Sequence, residues 1–274
     1  MRRHGLRILA IWLVLTIILE FLVAKLPVPS PTGSDEGLGE HQTVYMLFYV
    51  AIPFFTFIWA MLLYILPTFR ARDADSGDGP PVTDSTPLLL LWAGISFVTV
   101  IFLAGWGTFT LHEITQPDGG KPLHIQVIGQ QWYWTYRYPT YGGAESSVLV
   151  LPVHRSIELD VTSIDVVHSL WIYSLDIKED AVPGVVNHAF LNATHTARSN
   201  QYGQNWVACN ELCGLYHGYM RSRMRIVSHA AFKRWATALY HREKANGLLK
   251  NLPKYHGEYF PPPVYPPAPQ DQST

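Results

Sequence analysis

Cysteine and charge are the scarcest features of this 274-residue sequence. It has only two cysteines, Cys209 and Cys213, and no Cys-x-x-Cys-His motif, so the chain carries no c-type haem of its own. Charged residues make up 15% of the chain, and the formal net charge is −1. A nearly neutral chain gives no electrostatic reason to bind nucleic acid, and we predict no such partner.

Charge is absent altogether from two long apolar runs, at 44–66 and 87–111. Each is longer than the ~20 mostly apolar residues with which a helix crosses a bilayer. We therefore predict that residues 44–111 form a transmembrane helical hairpin in the lipid bilayer. Basic residues near membrane spans stay inside, so Arg70 and Arg72 place the loop of the hairpin in the cytoplasm. Everything from residue 112 onwards is then extracytoplasmic.

A third apolar run, at 8–24, permits two interpretations. The arginines before it resemble the basic start of a signal peptide. However, residues 23–25 make a poor cleavage site, and the run is long for a signal peptide. Residues 1–43 are predicted to be a signal peptide or a retained N-terminal anchor, followed by a linker. In both cases residues 26–43 lie on the extracytoplasmic side of the membrane.

Beyond residue 112 the sequence predicts a β domain and then a helix. Short β-branched or aromatic runs, separated by Pro and Gly, indicate a sandwich or barrel between residues 112 and 228. The predicted strands lie at 122–129, 131–138, 147–153, 156–162, 166–172 and 220–227. From 229 to 274 the sequence predicts a helix over 230–240 and an extended or disordered Pro-rich tail over 259–274.

The side chains with the most distinctive chemistry lie in one loop. Cys209, Cys213, His217 and Met220 follow one another within twelve residues, and His168 ends an earlier apolar segment. Sulfur ligands mixed with imidazole suit copper or zinc, and a weak thioether beside Cys and His is typical of a copper electron-transfer site. A disulfide between the two cysteines is the alternative in an extracytoplasmic domain.

This pattern, Cys-x-Glu-x-Cys-x-x-x-His-x-x-Met with an upstream His, resembles the binuclear copper (CuA) site of cytochrome c oxidase subunit II. Residues 129–136 (Gly-Gln-Gln-Trp-Tyr-Trp-Thr-Tyr) are similar to that family's aromatic segment, and residues 180–184 (Asp-Ala-Val-Pro-Gly) to its turn. The resemblance covers residues 44–228 in the family's order. It implies a cupredoxin-like Greek-key barrel whose metal loop joins the last two strands and meets His168 at one end.

The resemblance also implies a role for each residue of the site. Cys209 and Cys213 would bridge two copper ions, with His168 on one ion and His217 on the other. Met220 would be a weak axial ligand. Glu211 would offer its backbone carbonyl to copper and its carboxylate to a magnesium ion at the surface of the catalytic subunit. Trp132 would be the point of electron entry.

The function implied is that of subunit II of cytochrome c oxidase in the cell (inner) membrane. Such a subunit accepts electrons from cytochrome c or a membrane-bound cytochrome. It passes them to the haem–copper subunit I, where oxygen is reduced to water and protons are pumped, and subunit III is a further expected partner. Two alternatives remain at this point: the electron-entry subunit of a nitric oxide reductase, and a membrane-anchored copper-binding protein.

The sequence departs from the family pattern at four positions. Gln130 replaces a histidine of the aromatic segment, and Asp84 is the nearest candidate for a carboxylate that marks a proton channel. Arg137 and Ile164 stand where the family commonly has carboxylates that dock a basic cytochrome, although Asp165 remains. Residues 112–228 contain ten acidic and eight basic residues, so we predict a nearly neutral docking surface.

Overall fold

The computed structural model describes residues 2–25, 33–70, 84–116, 120–198 and 205–251. The chain divides into two compact units, Met1–Pro29 with His41–Leu111, and Ser30–Glu40 with His112–Thr274. The Pro-rich tail predicted at 259–274 lies outside the described residues, and so do residues 71–83 of the predicted cytoplasmic loop.

The first unit consists of helices long and apolar enough to cross a membrane: α1 (Arg2–Lys25), α2 (Asp35–Thr68) and α3 (Thr86–Ile114). The two predicted spans lie within α2 and α3, but α2 begins at Asp35, before its charge-free run starts. None of the described residues of α3 is buried. Its apolar surface therefore suits contact with lipid or with another membrane subunit.

Within this unit α1 lies along α2. The indole Nε1–H of Trp12 donates to the carbonyl of Pro53 (2.8 Å), and the hydroxyls of Thr16 and Thr56 share a hydrogen bond of 2.7 Å. The buried residues of α2 recur every four positions and so share one helical face. Beyond Gly37, which is buried with Glu36 at the start of the helix, they are Ile52, Thr56, Ala60 and Tyr64.

The second unit is a β barrel of two sheets. The first has the order β3-β2-β1-β5-β8, and the second has the order β4-β11-β10-β6-β7, with β9 paired to β11. The bounds are β1 Leu123–Gln130, β2 Tyr133–Tyr138, β3 Ala144–Ser146, β4 Leu149–Pro152, β5 Ser156–Ser163, β6 His168–Ile172, β7 Ile177–Ala181, β8 Asn187–Asn192, β9 Ala197–Arg198, β10 Trp206–Cys209 and β11 Arg221–Val227. The six predicted strands are confirmed as β1, β2, β4, β5, β6 and β11. The other five were not predicted.

Alternation along the strands builds the core between the sheets. On β2, Trp134, Tyr136 and Tyr138 are each at most 1% exposed, and on β5 the buried aliphatic residues alternate with polar ones. On β11, Ser222, Met224 and Ile226 are buried and alternate with arginines. This packing fixes the register of β1, β5 and β6, which carry the side chains described below.

Helix α4 (His229–Ala245) completes this core. Ser228 caps it by accepting a hydrogen bond from the N–H of Ala231. Phe232 is fully buried, and its ring packs on Tyr138 and Tyr141. The helix is longer than predicted and shares the barrel's hydrophobic cluster. The predicted boundary at residue 228 therefore does not separate α4 from the barrel.

Residues just before and at the start of α2 are also attached to the barrel. Ser34 Oγ donates to the carbonyl of Leu175 (2.6 Å), and the N–H of Asn192 donates to the carboxylate of Glu36 (3.0 Å). A Cβ on Gly33 would lie 2.2 Å from the carbonyl oxygen of Ser174, so only glycine fits there. Residues 33–36 therefore lie on the same side of a membrane as the barrel.

Candidate metal centre

The loop 210–220 joins β10 to β11 at the end of the barrel where β6 begins. Cys209 ends β10 and is paired with Leu170, two residues after His168 at the start of β6. The N–H of Cys209 donates to the carbonyl of Met220 (3.0 Å) and closes the base of the loop. This register brings the loop and His168 together, as the resemblance implied.

The six predicted ligands form one connected group. The Sγ atoms of Cys209 and Cys213 are 3.8 Å apart. Each sulfur faces one imidazole: His168 Nδ1 lies 3.8 Å from Cys209 Sγ, and His217 Nδ1 lies 3.6 Å from Cys213 Sγ. The remaining two donors flank the thiols. They are Met220 Sδ at 3.8 Å from Cys213 Sγ and Glu211 O at 3.3 Å from Cys209 Sγ.

These separations fit metal binding and not a disulfide. Both cysteines are free, and their sulfurs are far beyond the ~2.05 Å of an S–S bond. Two sulfurs that share a tetrahedral metal at ~2.3 Å stand ~3.8 Å apart. Two thiols, two imidazoles, a thioether and a carbonyl also exceed the four ligands that a structural zinc ion takes. Sulfur and imidazole donors in this number suit a pair of copper ions.

The two thiols differ in acidity. Partial burial raises the pKa of the Cys209 thiol, but hydrogen bonds from His168 and from neighbouring backbone groups outweigh that effect and lower it. The pKa of Cys213 is raised by burial and by the neighbouring Cys209 sulfur. Cys209 is therefore the first sulfur to reach the thiolate form that binds metal.

Asp165 connects His168 to the β1–β2 turn, a role that the sequence did not indicate. Its Oδ1 lies 2.9 Å from His168 Nε2, and its Oδ2 accepts from the N–H of Gln131 (2.6 Å). Partial burial would raise the pKa of Asp165, but the hydrogen bonds from Gln131, His168 and Val166 lower it. The carboxylate orients the ring so that Nδ1 faces the sulfur.

Trp132 lies in the turn between β1 and β2, directly against the metal loop. The predicted strand at 131–138 begins only at Tyr133, and Trp132 is half-buried. Its Nε1–H donates to the carbonyl of Cys213 (3.1 Å), and its ring meets Tyr216 edge-on with centroids 4.8 Å apart. Trp134 and Tyr136, by contrast, are buried in the core.

Two positions interpreted as part of a docking surface are buried or engaged instead. Arg137 is 8% exposed and forms an ion pair with Glu145 (2.7 Å), so it does not set the charge of an exposed surface. Asp165 is committed to the metal centre. The Glu211 carboxylate is exposed, in keeping with a contact outside the chain. Asp84 is exposed just before α3, and its proton-channel role remains a prediction.

Around the loop the surface is apolar. Leu212, Leu215 and Tyr219 are 78%, 81% and 83% exposed. Nearby in sequence or on adjoining turns, Tyr133, Val166, Val167 and Tyr216 are also exposed. We call these seven residues the loop surface. Exposed apolar residues grouped in this way are typical of a protein contact site.

Comparison with known proteins agrees with these observations. A family model described as cytochrome c oxidase subunit II, periplasmic domain, matches residues 143–227. The chain is 27% identical to cytochrome c oxidase subunit 2 of Synechocystis over 69% of each chain. It is 28% identical to the probable cytochrome c oxidase subunit 2 of Rickettsia bellii, over 87% of this chain and 94% of that one.

Among solved structures, the periplasmic domain of subunit II of the cytochrome oxidase of Bradyrhizobium japonicum is similar, with a TM-score of 0.41 and 28% identity. It matches 47% of this chain and 98% of its own. Three candidate membrane helices and a domain of the periplasmic family describe a membrane protein with an extracytoplasmic domain. Residues 143–227 therefore carry the periplasmic domain of cytochrome c oxidase subunit II, and the proteins to which the chain is similar are subunits of an oxidoreductase complex.

Proposed function

We propose that the loop and His168 hold a binuclear copper (CuA) centre through which the chain serves as the electron-entry subunit of a cytochrome c oxidase. The connected set of six donors at separations of 3.3–3.8 Å carries this proposal. In it, the thiolates of Cys209 and Cys213 and the imidazoles of His168 and His217 would hold the copper ions. Met220 and the carbonyl of Glu211 are the weaker ligands.

Copper held by these thiolates and imidazoles would supply one-electron transfer. The barrel contributes the rigidity that such a site needs. Cys209 and His168 are held by paired strands, and Asp165 fixes the ring of His168. Gln131 and Trp132 both donate to the carbonyl of Cys213, at 2.7 Å and 3.1 Å, and so steady the loop from the other side.

In this proposal the donor is cytochrome c or a membrane-bound cytochrome that meets the loop surface, with Trp132 as the entry point. The acceptor is the haem–copper subunit I, and subunit III is a further neighbour in the cell (inner) membrane. The exposed carboxylate of Glu211 would help to bind magnesium at the interface with subunit I. Residues 112–228 form the copper domain, and residues 44–111 anchor it.

We further propose that α1 is a retained anchor. Cleavage would remove the hydrogen bonds of α1 to Pro53 and Thr56. It would also expose the face of α2 that is now buried. The intact mass of the mature chain should include residues 8–24. A mature chain that begins after residue 25 would show that α1 is a signal peptide.

Purification of the tagged chain from its native membrane tests the function. A haem–copper subunit should copurify, and the complex should consume oxygen when supplied with reduced cytochrome c. Cys213→Ser should abolish donor-driven oxygen consumption while the complex still assembles. Nitric oxide consumption without oxygen consumption would favour a reductase, and a chain isolated without any haem–copper partner would favour a copper-binding protein.

A further inference from the structure

A second group of metal-binding side chains lies on the outer face of the first sheet. It consists of His124 on β1, Glu158 and Asp160 on β5, and His188 on β8. Gly129, on the same strand as His124, lies beside His168 of the proposed copper centre, since a Cβ added to it would be 3.0 Å from the His168 ring. His124 lies five residues earlier, ~17 Å along an extended strand. The second group is therefore separate from the copper centre.

Strand register brings the four side chains together. His124 is paired with Glu158 between the parallel strands β1 and β5, and Asp160 is paired with His188 between the antiparallel strands β5 and β8. Glu158 and Asp160 are two residues apart, so they point to the same face of β5. Neighbouring β-strand residues on the core side, such as Ile157 and Leu159, are fully buried.

The ligand atoms of His124, Glu158 and Asp160 lie within 4.8 Å of one another, and His188 adjoins the other oxygens of both carboxylates. His188 Nδ1 lies 3.0 Å from an oxygen of each carboxylate, and His124 Nδ1 lies 3.4 Å from Glu158 and 3.6 Å from Asp160. Donors that surround a tetrahedral zinc ion at ~2.0–2.1 Å are ~3.3 Å apart. The four measured separations bracket that value.

Burial and charge also favour a cation here. Asp160 is fully buried, and a buried carboxylate is costly unless it is paired or coordinates a metal. Gln126, paired with Asp160 on the same face, is 1% exposed, and its side-chain oxygen has no hydrogen-bond partner among the described residues. A divalent ion would balance the charge of both carboxylates.

We propose that His124, Glu158, Asp160 and His188 form a zinc site that joins β1, β5 and β8. Two imidazoles and two carboxylates suit zinc, whereas calcium prefers six to eight oxygen ligands. Zinc has no redox chemistry, so the site would stabilise the sheet and would not carry electrons. His188 is 44% exposed at its side chain and gives an ion access from solvent.

Zinc binding to the full chain in detergent tests the proposal, with Cys209→Ser/Cys213→Ser as background so that the copper ligands do not contribute. After treatment with a chelator, equilibrium dialysis should give one zinc ion per chain. Cobalt in place of zinc should show the visible absorption of a tetrahedral site. Zinc should also raise the Tm, because it binds only the folded chain.

His188→Asn in that background should lose the zinc ion, or bind it at least ~10-fold more weakly, and the Tm should no longer respond to zinc. Because His188 is half-exposed, the variant should fold. Glu158→Gln provides a second variant, and His229→Asn, exposed at the start of α4, is the matched control. Absence of zinc binding, or binding that neither site variant weakens, would overturn the proposal. Since the background lacks the copper thiolates, this outcome is independent of the proposed electron-transfer function.

Discussion

At the residue scale, Asp165 shows how the site is held. Its carboxylate accepts from Gln131 and Val166 and lies 2.9 Å from the His168 ring. We expect Asp165→Asn to weaken copper binding by ~10–100-fold, because partners of this kind fix the ligand ring. Competition with a chelator of known affinity measures the change. Asp180→Asn removes an exposed carboxylate as the control, and equal affinities for Asp165→Asn and wild type would show that Asp165 does not position His168.

Trp132 carries a prediction about electron entry. Trp132→Phe should leave the copper content intact, since Gln131 still donates to the carbonyl of Cys213. Stopped-flow reduction by the protein donor should slow by more than ~10-fold, which corresponds to ~1.4 kcal/mol in the barrier. Small chemical reductants should react almost as before, because they can approach elsewhere.

Trp134→Phe is the control for Trp132→Phe. Trp134 is 1% exposed, and its Nε1–H has no hydrogen-bond partner among the described residues, so the variant loses packing alone. We expect a loss of ~1–3 kcal/mol in the free energy of unfolding with the donor rate preserved. Unchanged donor rates in Trp132→Phe would remove its role as the entry point.

At the element scale, α4 is part of the folding unit of the barrel. Phe232 is fully buried against Tyr138 and Tyr141, so Phe232→Ala should destabilise the domain by ~3–5 kcal/mol. Calorimetric unfolding measures this loss. Lys233→Ala, at an exposed position of the same helix, should change little. If both variants unfold like wild type, α4 is an appendage.

The strands missed by the sequence have physical reasons for being missed. β3, β7 and β8 lie at the edges of their sheets. β7 (Ile-Lys-Glu-Asp-Ala) has three charged residues in five, so it lacks the apolar pattern of a strand. An edge strand tolerates this charge because it buries less of its surface. β10 lies between β11 and β6, but its four residues are too few to show a period.

The candidate site was predictable where its residues are close in sequence. Five of the six ligands lie within residues 209–220, and the family pattern supplied His168. Three other features depend on which strands pair. They are the position of Asp165, the hydrogen bond between Glu36 and Asn192, and the group around Asp160. No local pattern in the sequence specifies that pairing, so these features required the structure.

At the scale of the whole molecule, the most exposed large side chains of the metal loop are apolar. Leu212, Leu215 and Tyr219 are exposed, and Arg137 and Asp165 are engaged internally. Steering by opposite charges accelerates association at low salt and is lost at high salt. We therefore expect the rate of electron delivery by the natural donor to change less than ~3-fold between 20 mM and 200 mM salt, a range over which screening is strong. A steep fall in stopped-flow measurements would reveal a charged docking site.

The copper content of the full-length chain tests the central claim most directly. Bound copper is measured after reconstitution in detergent, in wild type and in Cys209→Ser/Cys213→Ser. The difference between the two counts the ions that the thiolates hold and excludes any that other side chains hold. The account predicts a difference of two copper ions per chain, together with a purple mixed-valence absorption that Cys213→Ser alone abolishes. A difference of one copper ion, or a preference of the thiolate site for zinc, would contradict the binuclear centre.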